Sequence, residues 1–310
     1  MHFFERPGFI KALDSLKLVI KNQARGIRFG ESRSKFFGSG IEVSHLKNYS
    51  TGEDIKFIDW NASFRLNRTF IKVFSETREN NIYILADSSN SMSFGSPEPK
   101  RELALKLAYS ISYLAAAGMN KIYLADFGEN IKNAVEINKA NINIKFREIL
   151  GRRPLEAPEK TRLDRSVNSF TANFKRRGLL FIISDFLDSG LSIMDIIAKT
   201  AIAQNFYIIQ TLCEEDVKIS DTGEYKYEDS ETLETVEISL TPEAAAEYEK
   251  RVSDFCSQLM AKSLKYGGNY KKIMAGCDYM QALKEIILKK ILLGLFQKYF
   301  FQEMYVDYFF

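Results

Sequence analysis

Residues 81–91 read NIYILADSSNS, an apolar run that ends in an aspartate and opens at once into a serine-rich loop. Asn81 to Asp87 is the length of a strand, and its crowding of isoleucine, tyrosine and leucine predicts one that is buried. Working outward, about Pro99 to Ala117 has helical spacing and Lys121 to Phe127 reads as a second strand. Helical periodicity returns over Asn141 to Leu150 and Arg162 to Phe174. It is followed by GLLFIISD (178–185), whose continuous β-branched and leucine content predicts another buried strand. Helix 191–204, strand Phe206 to Leu212, helix 242–265 and a last strand over Tyr270 to Ala275 complete the pattern. Such alternation predicts an α/β fold: a Rossmann-like, mostly parallel sheet with helices on both faces, whose ligands gather beyond the carboxyl ends of the strands. Asp87 and Asp185 end two of those strands, so functional residues are expected there.

The chain has 310 residues, more than one compact core usually takes, which predicts two bodies. With 45% hydrophobic, 27% charged and 13% aromatic residues, a disordered or collagen-like chain is excluded. The formal charge of +3 gives no electrostatic reason to expect a nucleic-acid partner. Charge is uneven, however. Residues 1–80 hold 14 basic against 9 acidic side chains, whereas 214–237 hold 10 acids against 2 lysines and read as a solvated face, within an acidic segment 214–240 that looks like a hairpin or insertion. The three cysteines, Cys213, Cys256 and Cys277, are too scattered for a disulfide framework or a zinc site, which suits a reducing compartment. The amino-terminal stretch lacks the uninterrupted apolar core of a signal peptide, and Ile286 to Phe301 carries three lysines and is too short to span a bilayer. A cytoplasmic protein without a transmembrane segment is expected, peripheral to a membrane only through partners.

Residues 1–80 look like an appendage led by a helix. Phe9, Leu13, Leu16 and Ile20 share one helical face, Arg25 to Gly40 reads as a loop or arm, and Ile41 to Phe74 alternates apolar runs with turn signals, implying short strands. Residues 81–290 then form the α/β domain and 291–310 a helical tail. Within the appendage, Trp60 is the chain's only tryptophan, expected to fill a contact with the sheet or to anchor a partner. Asp59 and Arg65 beside it read as a structural ion pair or strand-end hydrogen bonds, with partner binding as the functional reading.

After Asp87 come Ser89 and Ser91, an Asp-x-Ser-x-Ser pattern at the end of a strand. A carboxylate and two hydroxyls on one tight loop are hard oxygen ligands suited to magnesium, although serines in this position also serve as turn formers and helix caps. The pattern resembles the metal-ion-dependent adhesion site of von Willebrand factor type A domains. That resemblance implies a metal site of Asp87, Ser89, Ser91, Thr161 and Asp185, holding Mg2+, with Mn2+ or Ca2+ as alternatives. It also implies a coordination position left for a partner's acidic group.

A second resemblance covers about residues 15 to 285. Gly38-Ser39-Gly40-Ile41-Glu42, Gly52-Glu53-Asp54, Ile58-Asp59-Trp60-Asn61-Ala62-Ser63-Phe64-Arg65 and Ile71-Lys72-Val73-Phe74 precede the serine loop. Arg176-Arg177-Gly178 leads into Ile183-Ser184-Asp185-Phe186. In this order they are similar to the bacterial domain of unknown function 58 family, from which Thr51 and Phe64 are mild departures. Thr161-Arg162-Leu163 fits that family's Thr-x-Leu pattern, with Thr171 a nearby candidate.

The resemblance implies a non-enzymatic adaptor or co-chaperone of a MoxR-type AAA+ ATPase, with other von Willebrand factor type A proteins or acidic clients as further partners. Two rivals are a metal-dependent phosphatase using Asp87 as nucleophile and a metal-free scaffold. Only His2 and His45 are available for a Ser-His-Asp triad, and there is no phosphate-cradling G-x-x-x-x-G-K-[ST] loop.

Overall fold

The apolar run at 81–87 forms the strand its composition predicts, and it lies inside a six-stranded sheet. The computed structural model describes residues 2–27, 42–75, 80–117, 120–128, 131–151, 165–166, 168–170, 178–187, 200, 205–219, 223–228 and 235–288. In chain order the strands are β1 (Glu42–Asn48), β2 (Phe70–Ser75), β3 (Asn80–Asp87), β4 (Asn120–Phe127), β5 (Ile131–Ile137), β6 (Gly178–Ser184), β7 (Asn205–Leu212), β8 (Gly223–Glu228), β9 (Thr235–Leu240) and β10 (Asn269–Met274). The helices are α1 (Pro7–Ile27), α2 (Trp60–Leu66), α3 (Lys100–Ala115), α4 (Ile142–Gly151), α5 (Glu214–Val217), α6 (Pro242–Lys265) and α7 (Tyr279–Leu288). The predicted helix at 191–204 is described only at Thr200, and the predicted tail at 291–310 lies outside the described residues.

The sheet order is β10-β7-β6-β3-β4-β5, with every pair parallel except β4 and β5. Counted from β3, this is the doubly wound 3-2-1-4-5-6 arrangement, in which the chain moves first to one side of its first strand and later to the other. The crevice where it reverses lies between β3 and β6. Alternate residues of β3 serve opposite faces. Ile82 and Ile84 pack with α1, α3, α4 and α7, whereas Tyr83 and Leu85 join Phe127, Phe170 and Leu259 of α6. Helices on both faces of a mostly parallel sheet make this the Rossmann-like α/β architecture that the sequence predicts.

Two compact units divide the chain: residues 1–24 with 80–310, and residues 25–79. Helix α1 therefore belongs with the sheet, where composition had placed it in the appendage. Phe3, Phe4, Leu13 and Leu16 are buried in the same cluster as α3, and the Phe4 ring stacks on Tyr109 at 5.1 Å.

In the second unit, β1 and β2 pair antiparallel and Ile58 bridges to Ile71. The reading of 41–74 as short strands holds for these two and fails between them. Asp59 accepts from the Ala62 N–H at 3.0 Å and so N-caps α2, and Asn67 closes that helix in a left-handed conformation (φ 50°). The acidic segment contains α5 followed by the hairpin β8–β9.

Candidate functional site

Asp87 and Asp185 follow one another across the sheet, because β3 and β6 are parallel neighbours that end together, with Ala86 opposite Ile183. Both carboxylates lie at the reversal crevice and each is 2% exposed. The Ser89 N–H donates to Asp87 Oδ1 at 2.8 Å, and the Ser184 hydroxyl donates to Oδ2 at 2.5 Å. Ser89 and Ser91 bring their hydroxyl oxygens within 3.0 Å of one another. Ser89 sits at the N-cap of a 3-10 turn, Asn90–Ser93, yet its side chain makes no capping bond. The structure therefore brings Asp87, Ser89, Ser91 and Asp185 to one crevice. Thr161 lies outside the described residues.

Burial, reinforced by the nearby charge of Asp185, pushes the Asp87 carboxyl well above the usual carboxylate range; the Ser184 and Ser89 hydrogen bonds oppose this only in part. Backbone strain adjoins the second carboxylate. Phe186 has φ of 61°, which is rare for a bulky residue. Its N–H donates to Ser184 Oγ at 3.1 Å and its ring is buried on the α6 face, so packing holds the conformation.

Three residues of the site were missed in the sequence: Ser184, Lys100 and Asp216. Lys100, the first residue of α3, is also 2% exposed. Its Nζ donates to Asp185 Oδ2 at 2.7 Å and to Asp216 Oδ1 at 3.0 Å. Burial works against the ammonium, but the charges of Asp185 and Asp216 more than offset it and hold Lys100 above the ordinary lysine value. Asp216 belongs to the acidic segment read as a solvated face; instead it meets Lys100 and accepts from the Cys213 N–H at 2.9 Å. The signal available for Lys100 was a cation in the first turn of a helix, where the macrodipole disfavours one.

The donors on the loop fit a small hard cation, since Asp87, Ser89 and Ser91 present oxygens from one tight turn. On the Asp185 side an ammonium already provides positive charge. Among the described residues no group of three or more His, Cys, Asp or Glu side chains could hold a metal, so a cation here would depend on the serine hydroxyls.

Asp59, Trp60 and Arg65 lie in the unit of residues 25–79, at the start and in the last turn of α2. Asp59 caps the helix, and its N–H donates to the carbonyl of Phe70 at the start of β2 at 2.9 Å, so the strand-end reading holds for it; its ion pair is with Lys72 at 3.6 Å rather than with Arg65. Trp60 and Phe64, one helical turn apart, are 60% and 84% exposed.

The profile of the family described as "Protein of unknown function DUF58" matches residues 45–258. The chain belongs to that family. Uncharacterized proteins of Mycobacterium bovis and Mycobacterium tuberculosis are each 25% identical to this DUF58 protein over 239 residues, spanning 76% of this chain and 75% of the relative. Among solved structures, a conserved hypothetical protein BatB from Bacteroides thetaiotaomicron is 16% identical with a TM-score of 0.40, covering 67% of this chain and 97% of that one. A von Willebrand factor type A protein from Catenulispora acidiphila is 12% identical with a TM-score of 0.37, covering 70% of this chain and 43% of that one. No described helix is long and apolar enough to cross a membrane.

Proposed function

We propose that this DUF58 protein is a non-enzymatic protein-interaction module whose recognition site is the loop after β3. The observation that carries the reading is the pair of hydroxyls of Ser89 and Ser91, 3.0 Å apart beside a buried carboxylate, with the Ser89 side chain capping nothing. Had these serines been caps, the metal-free scaffold would be favoured. Asp87, Ser89 and Ser91 would hold the cation, with Asp185 adding charge from the neighbouring strand. A bound magnesium ion, or manganese or calcium in its place, would supply a coordination position for a carboxylate of the partner. Binding is preferred to phosphoryl transfer because an aspartyl nucleophile commonly needs a second acid in its loop, and position 89 is a serine. The partner class, a MoxR-type AAA+ ATPase, rests on the family resemblance, and ATP hydrolysis would belong to that partner.

The test is calorimetric titration of magnesium and manganese into the chelated full chain, beside an Asp87→Ala variant. Saturable binding that disappears in the variant is expected. The wild type should also melt higher with metal, because a ligand that binds only the native state stabilises it. A folded wild type that takes up no cation would reject metal-bridged recognition in the free protein. Where binding is found, capture of the ATPase from purified components should require metal and fail for Asp87→Ala.

A further inference from the structure

Lys100 occupies a position hostile to a cation on two counts. It is buried, and it opens α3 at the end where the helix dipole is positive. It persists there because Asp185 and Asp216 converge on its Nζ from different elements, the end of β6 and the short helix α5. The crevice is therefore built to hold positive charge, and in this structure a side chain of the protein provides it. Asp185 is also the carboxylate that the cation reading assigns to the metal site. A single carboxylate shared by an ammonium and a divalent ion brings like charges together where the dielectric is low, which weakens whichever binds second.

We propose that Lys100 is a resident counter-ion that competes with the divalent cation for Asp185 and so sets the metal affinity of the site. The inference rests on the cation reading of the Asp87 loop. Exchange is a hand-over: Asp216 already accepts from Nζ at 3.0 Å, so the ammonium keeps one carboxylate when Asp185 turns to the metal. Asp216 is fixed for this by the Cys213 N–H at 2.9 Å, and the peptide oxygen of Asp216 accepts from the Tyr248 hydroxyl at 3.1 Å. Lys100 acts here as a positioning residue on Asp185; it touches no partner.

The experiment titrates magnesium and manganese separately into chelated full-length wild type, Lys100→Met and Asp216→Asn, with folding of each checked by circular dichroism. Methionine keeps the apolar stem and removes the charge. Lys100→Met should bind roughly tenfold tighter or more, and its melting temperature should rise further with metal than that of the wild type. Asp216→Asn, which among the described residues leaves Asp185 as the carboxylate partner of the ammonium, should bind more weakly. A purely structural lysine would lower stability without raising affinity.

Metal binding by wild type with no gain in Lys100→Met overturns this inference and leaves the cation reading standing. Binding by Lys100→Met alone supports the inference and rejects the cation reading for the native chain. No binding by either overturns both. Should Lys100→Met fail to fold, Asp216→Asn decides, and unchanged or tighter binding there overturns the proposal.

Discussion

Gly178 opens β6 opposite Asn81 of β3, and the two strands approach too closely for any side chain at that point. A β-carbon built on Gly178 would lie 2.3 Å from the Asn81 carbonyl oxygen and 2.8 Å from the Tyr83 ring. The backbone oxygen cannot swing aside as a flexible side chain would, so the strands must separate. Gly178→Ala is expected to cost about 1–3 kcal/mol of unfolding free energy, the usual range for overpacking, read from denaturant midpoints. Gly8→Ala, with nothing within 4 Å, is the control and should show no loss. Because β3 and β6 carry Asp87 and Asp185, the same substitution should also weaken cation uptake. An alanine variant with an unshifted midpoint would mean that the close approach is not maintained in solution.

At the scale of elements, strands with continuous apolar content were legible in the sequence, and so were the longer helices. Burial on both faces leaves a signature that needs no tertiary information. Helix α2 was not legible as a helix: it has seven residues, and its apolar pair, Trp60 and Phe64, points outward and gives no core-facing stripe. Its caps were the available signal. The edge strand β5 was passed over because its sequence, IKNAVEI, mixes polar and apolar residues. More of the site was legible than not, because Asp87, Ser89, Ser91 and Asp185 lie at or just after strand ends. Lys100 was not, because its partners lie 85 and 116 residues away and only the folded sheet brings them together.

The cap of α2 makes a pH prediction with a built-in reporter. The Ala62 N–H, then the Lys72 charge, hold the Asp59 carboxyl below its ordinary value. A depressed carboxyl contributes stability above its unfolded value and loses it as pH falls through its folded one. Fluorescence of Trp60, the only tryptophan and the first residue of α2, should therefore report an acid transition below the ordinary aspartate range. Asn caps without titrating, so Asp59→Asn should abolish that component; its persistence would assign the transition to another group.

For the whole molecule, the division into residues 1–24 with 80–310 and residues 25–79 makes the amino-terminal helix part of the sheet's core. Phe3, Phe4, Leu13 and Leu16 are buried with α3. Phe9 stacks on Tyr279 at 5.7 Å, Tyr113 donates to Asp14 at 2.9 Å, and Arg147 reaches Glu5 at 2.7 Å. These contacts fall on α3, α4 and α7, so α1 together with the turn before it (Phe3–Glu5) joins three helices over one face of the sheet. Each fully buried apolar side chain of this size contributes roughly 1.5–3 kcal/mol. Loss of four approaches the 5–15 kcal/mol that separates a typical folded domain from its unfolded chain. A chain lacking residues 1–24 should therefore lose cooperative unfolding of the sheet unit, or melt far lower, and should bind a hydrophobic dye at its uncovered face. If the helix instead belonged with residues 25–79, truncation would leave the sheet's transition where it was. The milder pair Phe4→Ala and Leu13→Ala distinguishes packing from chain length, since each should lower the sheet's stability by about 2–5 kcal/mol with every residue still present.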